Sequence, residues 1–408
     1  MNNNQVSKIL NDPVYGFITL KRGILLDIVE HPYFQRLSRI KQLGLTYLVY
    51  PGAHHTRFHH ALGCVHLMNQ AILTLREMGY SINENEQEGV KLAILLHDIG
   101  HGPFSHALEH SIVSEIQHEE LSHIFMQQLN IEFGGQLDTA IAIFKDEYPK
   151  RFLHQLVSSQ LDMDRLDYLK RDSFFTGVSE GVVSNQRIIK MFDLVNDEIV
   201  VKEKGVYSIE KFLIARRLMY WQVYLHKTVL SAEFLLMNIL KRAKYLCSNG
   251  EYIFTTEAIK PFLNEKVDRN KIETSSFLNS FARLDDYDVF SCIKQWVNDK
   301  DPVLSMLCNG IVNRKLPKVL ISKEKFPDEE VHNHLLIHQK KLGFSNDEMK
   351  YFVFQRSMTN NAYDTKKDEI KILYKDGTIK DITAASDNLN VQALSKQVRK
   401  HFLFAPYF

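Results

Sequence analysis

The chain has 408 residues, roughly two to three domain equivalents by length, and can bury a core without disulfides. Charged residues make up 24% and hydrophobic residues 45%, which excludes disorder, collagen-like sequence and a membrane bundle. Lys and Arg number 50 against 49 Asp and Glu, so the formal charge is +1 and argues against nucleic acid or an anionic membrane as partner.

Residues 1–30 mix short apolar runs with Pro13, Gly16 and Gly23 and read as an N-terminal arm of turns or short strands. From His31 the spacing turns helical, with Phe34, Leu37, Ile40 and Leu43 at three-residue steps before Gly44. Helices are expected over 57–78, 86–99, 117–130, 137–145, 149–159 and 161–171, and a long helical stretch over 208–247. After about residue 310 the texture changes. Val319-Leu320-Ile321, Tyr351 to Gln355 and Ile370 to Tyr374 look like strands, and Lys375-Asp376-Gly377-Thr378 like a turn. Residues 390–401 read as helix again. The expected fold class is mainly α: a helical core over 31–310 and a small α+β C-terminal lobe over 311–408. The aromatic run Phe402 to Phe408 is expected to pack onto its own lobe.

Cys64, Cys247, Cys292 and Cys308 are scattered with no CxxC pair, so no zinc ribbon or disulfide framework is expected, and a cytoplasmic setting fits. The start, Met1-Asn2-Asn3-Asn4-Gln5, lacks the apolar core of a signal peptide. No run nears the ~18 apolar residues of a spanning helix.

The chemistry concentrates in three segments. Arg57-Phe58-His59-His60 comes first. His97-Asp98-Ile99-Gly100-His101-Gly102-Pro103-Phe104-Ser105-His106 follows, with Glu109 and His118 behind it. Leu161-Asp162-Met163-Asp164-Arg165-Leu166-Asp167-Tyr168 is third. Imidazole binds metals through either ring nitrogen, and carboxylates offset a divalent ion's charge. A mixed His/Asp set suits Fe, Mn, Zn, Co or Ni better than soft thiolates would. Gly100, Gly102 and Pro103 end a helix there and open the backbone. Taken singly, each His or Asp is explained as a hydrogen-bonded core residue, a helix-end acceptor or half of a salt bridge. Together they make a specific pattern: an adjacent His-Asp in an apolar helix, with His before and Asp after.

That pattern resembles the HD phosphohydrolase superfamily and, within it, the deoxynucleoside triphosphate triphosphohydrolases. It is most similar to the branch with a sterile alpha motif, here in a bacterial type expected to lack that motif. The resemblance implies that His60, His97, Asp98 and Asp164 are metal ligands for Mn, Mg, Fe, Zn, Co or Ni. It implies His101, His106, Glu109 and His118 as catalytic residues. Substrate contacts are implied for Gln42, Leu43, Arg57, Arg165, Tyr168, Asp172, Arg216, Tyr224 and Leu225. Of these, Leu225 replaces a polar residue that faces the base. The expected reaction is attack of a metal-bound hydroxide on the α-phosphorus of a dNTP, releasing deoxynucleoside and triphosphate. A candidate allosteric nucleotide site uses Gln35, Arg36, Arg314 and Lys318, with a solvated basic face as the ordinary explanation of Arg314 and Lys318. A homo-oligomer, dimer or tetramer, is implied too. The alternatives are an HD phosphohydrolase acting on another nucleotide, and a catalytically silent nucleotide- or nucleic-acid-binding regulator.

Overall fold

The structure, a computed structural model, describes residues 7–104, 108, 111, 116–267, 269–272, 274–364, 369–387 and 394–407. A hairpin opens the fold, with β1 (Lys8–Asp12) antiparallel to β2 (Gly16–Leu20) and Asp12 facing Gly16 across the turn. Short helices α1 (Ile24–Glu30) and α2 (Pro32–Gln35) follow. The centre is α3 (Arg57–Glu77), buried on most of its circumference. Against it pack α4 (Glu84–Leu96) and, further along the chain, α8 (Met163–Thr176). Between them come α5 (His118–Glu132), α6 (Asp138–Phe144) and α7 (Arg151–Val157).

Local sequence sets these boundaries. The Asn83 side chain accepts from Glu86 N at 2.9 Å, and Glu86 returns a bond to Asn83 N at 2.9 Å, closing a capping box on α4. Asp162 caps α8 by accepting from Arg165 N at 2.7 Å. Gly177, at φ 76°, ends α8 in the left-handed conformation that favours glycine. Gly63 allows α3 and α8 to touch: a Cβ there would lie 2.0 Å from Asp167 Oδ1.

The expected helical stretch over 208–247 is interrupted. After α9 (Asn185–Lys190), α10 (Val206–Met219) ends in a π turn over Tyr220–Tyr224, closed by Leu225 N donating to Tyr220 O at 2.7 Å. Then α11 (Lys227–Ser248) restarts, capped by His226. Such π turns gather at functional sites.

Two further sheets include C-terminal strands, one of them built on a hairpin from the helical region. In one, β3 (Phe192–Val195) pairs with β4 (Glu198–Lys202), then β7 (Lys371–Leu373), then β8 (Ile379–Asp381); β4 and β7 run parallel. In the other, β9 (Val398–Ala405) is the central strand between β5 (Lys318–Ser322) and β6 (Phe354–Asn360). The helix expected over 390–401 is therefore overturned across 398–401, because β9 is bonded on both edges. Phe402, Leu403 and Phe404 are buried within that sheet. One apolar core runs from Ile18 in β2 to Phe404 in β9. The class is mainly α with small sheets, as the sequence pattern implies.

Candidate metal-dependent active site

Three helices converge on one point. His60 lies in the first turns of α3, His97 and Asp98 just past the end of α4, and Asp164 in the first turn of α8. His60 Nε2 is 3.1 Å from Asp164 Oδ1 and 3.8 Å from Asp98 Oδ2. His97 Nε2 is 3.4 Å from Asp98 Oδ1 and 3.5 Å from Asp164 Oδ1. The other ring nitrogens are anchored from behind. His60 Nδ1 bonds Asp167 Oδ2 at 2.8 Å, and His97 Nδ1 bonds the Ile94 carbonyl at 2.6 Å. Both bonds fix the tautomer whose Nε2 lone pair faces the carboxylates, the usual arrangement behind a metal-binding imidazole. Asp167 is itself held by Arg171, whose Nη1 reaches Asp12 Oδ2 at 2.7 Å, all of it buried.

The donor set fits a divalent ion. His97 Nε2 is buried without a close hydrogen-bond partner, its nearest polar neighbours being the Asp98 and Asp164 carboxylates. Burial opposes ionisation of Asp164, yet His60 and His97 hold its carboxyl far below the usual range. Asp98 is likewise kept ionised against burial by His97, His101 and Arg57, whose Nη1 lies 2.5 Å from its Oδ2. Cys64 also approaches, its sulfur 3.6 Å from both ring nitrogens of His60, and the four atoms of His60, Cys64, His97 and Asp164 cluster within 4.8 Å. Burial pushes the Cys64 thiol far up. The remaining set is imidazole and carboxylate, suited to Fe, Mn, Zn, Co or Ni.

His101 Nε2 sits 3.4 Å from Asp98 Oδ1, and its ring stacks on His118 with centroids 3.8 Å apart. Gly100 makes this possible. A Cβ there would lie 2.3 Å from both His118 O and Ser122 N, so only glycine lets α5 dock against the turn. Gly100 N donates to Ser122 Oγ at 3.0 Å, and that hydroxyl donates to His97 O at 2.7 Å. His106 and Glu109 lie outside the described residues.

From this cluster opens a cavity of about 820 Å³. Gln42, Leu43, Arg57, Arg165, Tyr168, Asp172, Arg216, Tyr224 and Leu225 all line it, together with Asp98, His101, His118 and Asp164. Asp172 is fully engaged: Oδ1 meets His55 Nε2 at 2.7 Å and Oδ2 accepts from Tyr224 OH at 2.7 Å. Gln42 Oε1 and Arg216 Nε and Nη1 are buried without hydrogen-bond partners. Arg165 spends one nitrogen on Ser159 O and Asp162.

Comparison with known proteins follows the same residues. The HD domain family matches 57–171, and the HD associated region matches 183–251. The protein YwfO of Bacillus subtilis is 32% identical across 98% of this chain and 92% of its own length. The chain belongs to the HD-domain superfamily, in its dNTPase-like branch. It is a divalent-metal-dependent HD phosphohydrolase. The crystal structure of a phosphohydrolase from Bacteroides thetaiotaomicron is similar at 52% identity and a TM-score of 0.95, covering 98% of this chain and 100% of that one. The deoxynucleoside triphosphate triphosphohydrolase SAMHD1 homolog of Dictyostelium discoideum is 30% identical over 63% of this chain, which spans 53% of that protein.

The residues of the candidate allosteric site make separate contacts in this HD-domain protein. Gln35 Nε2 donates to Val29 O at 2.7 Å. Arg36 is sealed at 0% exposure, and burial drags its guanidinium down to about 9. It donates to Ile99 O at 2.7 Å and Leu284 O at 3.2 Å, bracing the residue that follows His97-Asp98. Arg314 Nε donates to Leu48 O at 3.0 Å, and Lys318 Nζ lies 5.7 Å from the Tyr407 ring centre. Sequence reasoning missed several cavity residues: Tyr220, Glu233, Met237, Arg356 and Met358. Tyr220, packed edge-on to Tyr224 at 5.1 Å, was legible from its four-residue offset. Arg356 and Met358 carried no local signal, because β6 reaches the cavity only through the fold. Among the described residues, no helix is long and apolar enough to cross a membrane.

Proposed function

We propose that this chain hydrolyses deoxynucleoside triphosphates to deoxynucleoside and inorganic triphosphate. The observation that carries the reading is that one cavity joins the His/Asp cluster, the arginines Arg57, Arg165, Arg216 and Arg356, and a hydrogen-bonded Tyr-Asp pair. The Dictyostelium relative, a deoxynucleoside triphosphate triphosphohydrolase homolog by name, supports the same substrate class.

Charge sets the orientation. The triphosphate lies at the cluster end, where Arg57 and Arg216 face it; the two orphaned nitrogens of Arg216 are donors suited to phosphate oxygens. The divalent ion, when bound, acidifies water and offsets phosphate charge. His118, stacked on His101 at the cavity wall, gives its proton to the 5′-oxygen as the bond from the α-phosphorus to that oxygen breaks. Asp172 holds the Tyr224 hydroxyl and ring in place, so that Tyr224 and Leu43 wall the sugar and exclude a 2′-hydroxyl by shape. Gln42 Oε1 accepts from a sugar hydroxyl.

The test is product analysis with each dNTP, alone and mixed, with Mn²⁺ or Mg²⁺. Equal amounts of triphosphate and deoxynucleoside are expected. In Asp98→Ala, turnover falls roughly a thousandfold or more and bound metal falls with it. Release of orthophosphate or pyrophosphate in place of triphosphate, or no product from any dNTP, overturns the reading.

A further inference from the structure

The cavity end far from the metal cluster is built from α11 and β6. Leu230, Glu233 and Met237 point into it from one stripe of α11, spaced three and four residues apart. Phe234 flanks the stripe, and β6 sets Met358 and Arg356 beside it. Leu225, at the head of α11, is apolar too. This end suits a flat, weakly polar ring, as the cluster end suits phosphate. Glu233 lies roughly 9 Å along the axis from the start of α11, at 1.5 Å per residue.

Glu233 is the exception in that lining. Its carboxyl has no hydrogen-bond or ion-pair partner among the described residues. Arg356, which borders the same opening, is turned elsewhere: it donates to Gln355 O at 2.8 Å and lies over the Phe354 and Phe234 rings at 5.3 and 5.9 Å. Burial alone pushes the Glu233 carboxyl up to about 7, with no charged neighbour contributing. A half-buried carboxyl with no protein partner, facing the cavity, is free to accept from a ligand that enters it.

We infer that Glu233 reads the base of the nucleotide, favouring bases that carry an exocyclic amine over thymine. This rests on the reading of the cavity as a dNTP site. Guanine offers a ring N–H and an amine side by side, which match the two carboxylate oxygens. Adenine and cytosine each offer an amine. Thymine offers one ring N–H between two carbonyls, which repel a carboxylate. Leu225, Phe234 and Met237 contact any ring equally, so discrimination falls to Glu233.

The experiment is equilibrium binding, by calorimetry, of the four dNTP analogues in which a methylene replaces the 5′-oxygen, so that the proposed scissile bond is absent, to the metal-loaded protein. Wild type, Glu233→Gln and Glu233→Leu are compared. In wild type the thymine analogue binds roughly tenfold or more weakly than the guanine analogue. In Glu233→Leu the four affinities converge, and in Glu233→Gln the thymine analogue gains most, because an amide donates as well as accepts. Both variants remove an unpartnered carboxyl, so their melting temperatures do not fall. Equal affinities in wild type, or an unchanged ratio in Glu233→Leu, overturn the inference. Turnover of ordinary dNTPs separates this from the parent reading. Base discrimination that Glu233→Leu abolishes, without triphosphate release, keeps the inference and sinks the dNTPase reading. Triphosphate release with unchanged base ratios does the reverse.

Discussion

At the metal end of the cavity, each charge is held by another. His60 leans on Asp167, Asp167 on Arg171 and Arg171 on Asp12, a chain that runs from the core back to the opening hairpin. At the base end Glu233 has no such partner. The first arrangement fixes atoms before any ligand arrives and suits chemistry that needs preorganised charge. The second leaves donors and acceptors for the ligand itself to satisfy, and suits recognition. The difference teaches where to expect a mutation to unfold the chain and where to expect it only to change what binds.

Breaking the paired end has the largest expected effect. Arg171→Met strands Asp12 and Asp167 as buried charges, and urea unfolding should register a loss of roughly 3–5 kcal/mol. A loss below ~1 kcal/mol would show that the chain of pairs is not structural. Next comes Gly100→Ala. Its Cβ collides with the backbone of His118 and Ser122, so stability falls by roughly 1–3 kcal/mol and turnover falls further than stability does, as His118 leaves His101. Rates that merely follow the folded fraction would count against His118 as the acid. Tyr224→Phe removes one hydrogen bond to Asp172, worth about 1 kcal/mol. Its kcat/KM for dNTPs should drop about fivefold, and selectivity against ribonucleotides should weaken; identical kinetics would remove the Tyr-Asp pair from the sugar wall.

The smallest effect sharpens the unpaired end. Glu233 has an ordinary value of 4.5 and is held up to about 7 in the folded chain, so the native state keeps this proton longer than the unfolded one. Its cost to stability grows as pH rises from about 4.5 through about 7 and is full above that. Glu233→Gln should match wild type near pH 4 and exceed it by roughly 1–2 kcal/mol at pH 8. A difference that does not vary with pH would mean the carboxyl is solvated.

Much of the paired end was legible because its residues are local. His97-Asp98 ends an apolar helical run and Gly100 follows, so that helix end was readable from spacing, while the joining of His60 and Asp164 to it came from the resemblance to the HD family. The supporting chain was not legible, since Asp12 and Arg171 meet only when the hairpin packs on α8. The π turn over Tyr220–Tyr224 was hidden because its residues keep helical spacing and contain no breaker. Residues 398–401, the start of β9, read as helix for a similar reason: their strand state comes from partners on both edges, Ser322 and Ser357 facing His401. Glu233 in a helical run looks like a solvent-facing residue until β6 closes the cavity over it.

The order of strands in that last sheet has a consequence for synthesis on the ribosome. β5 and β6 both precede β9 in the chain, yet neither pairs with the other; each pairs only with β9. Lys400 of β9 also lies 3.8 Å from the ring centre of Trp221, inside the π turn. A nascent chain can therefore fold its metal end while the wall bearing Arg356 and Met358 still waits for its central strand.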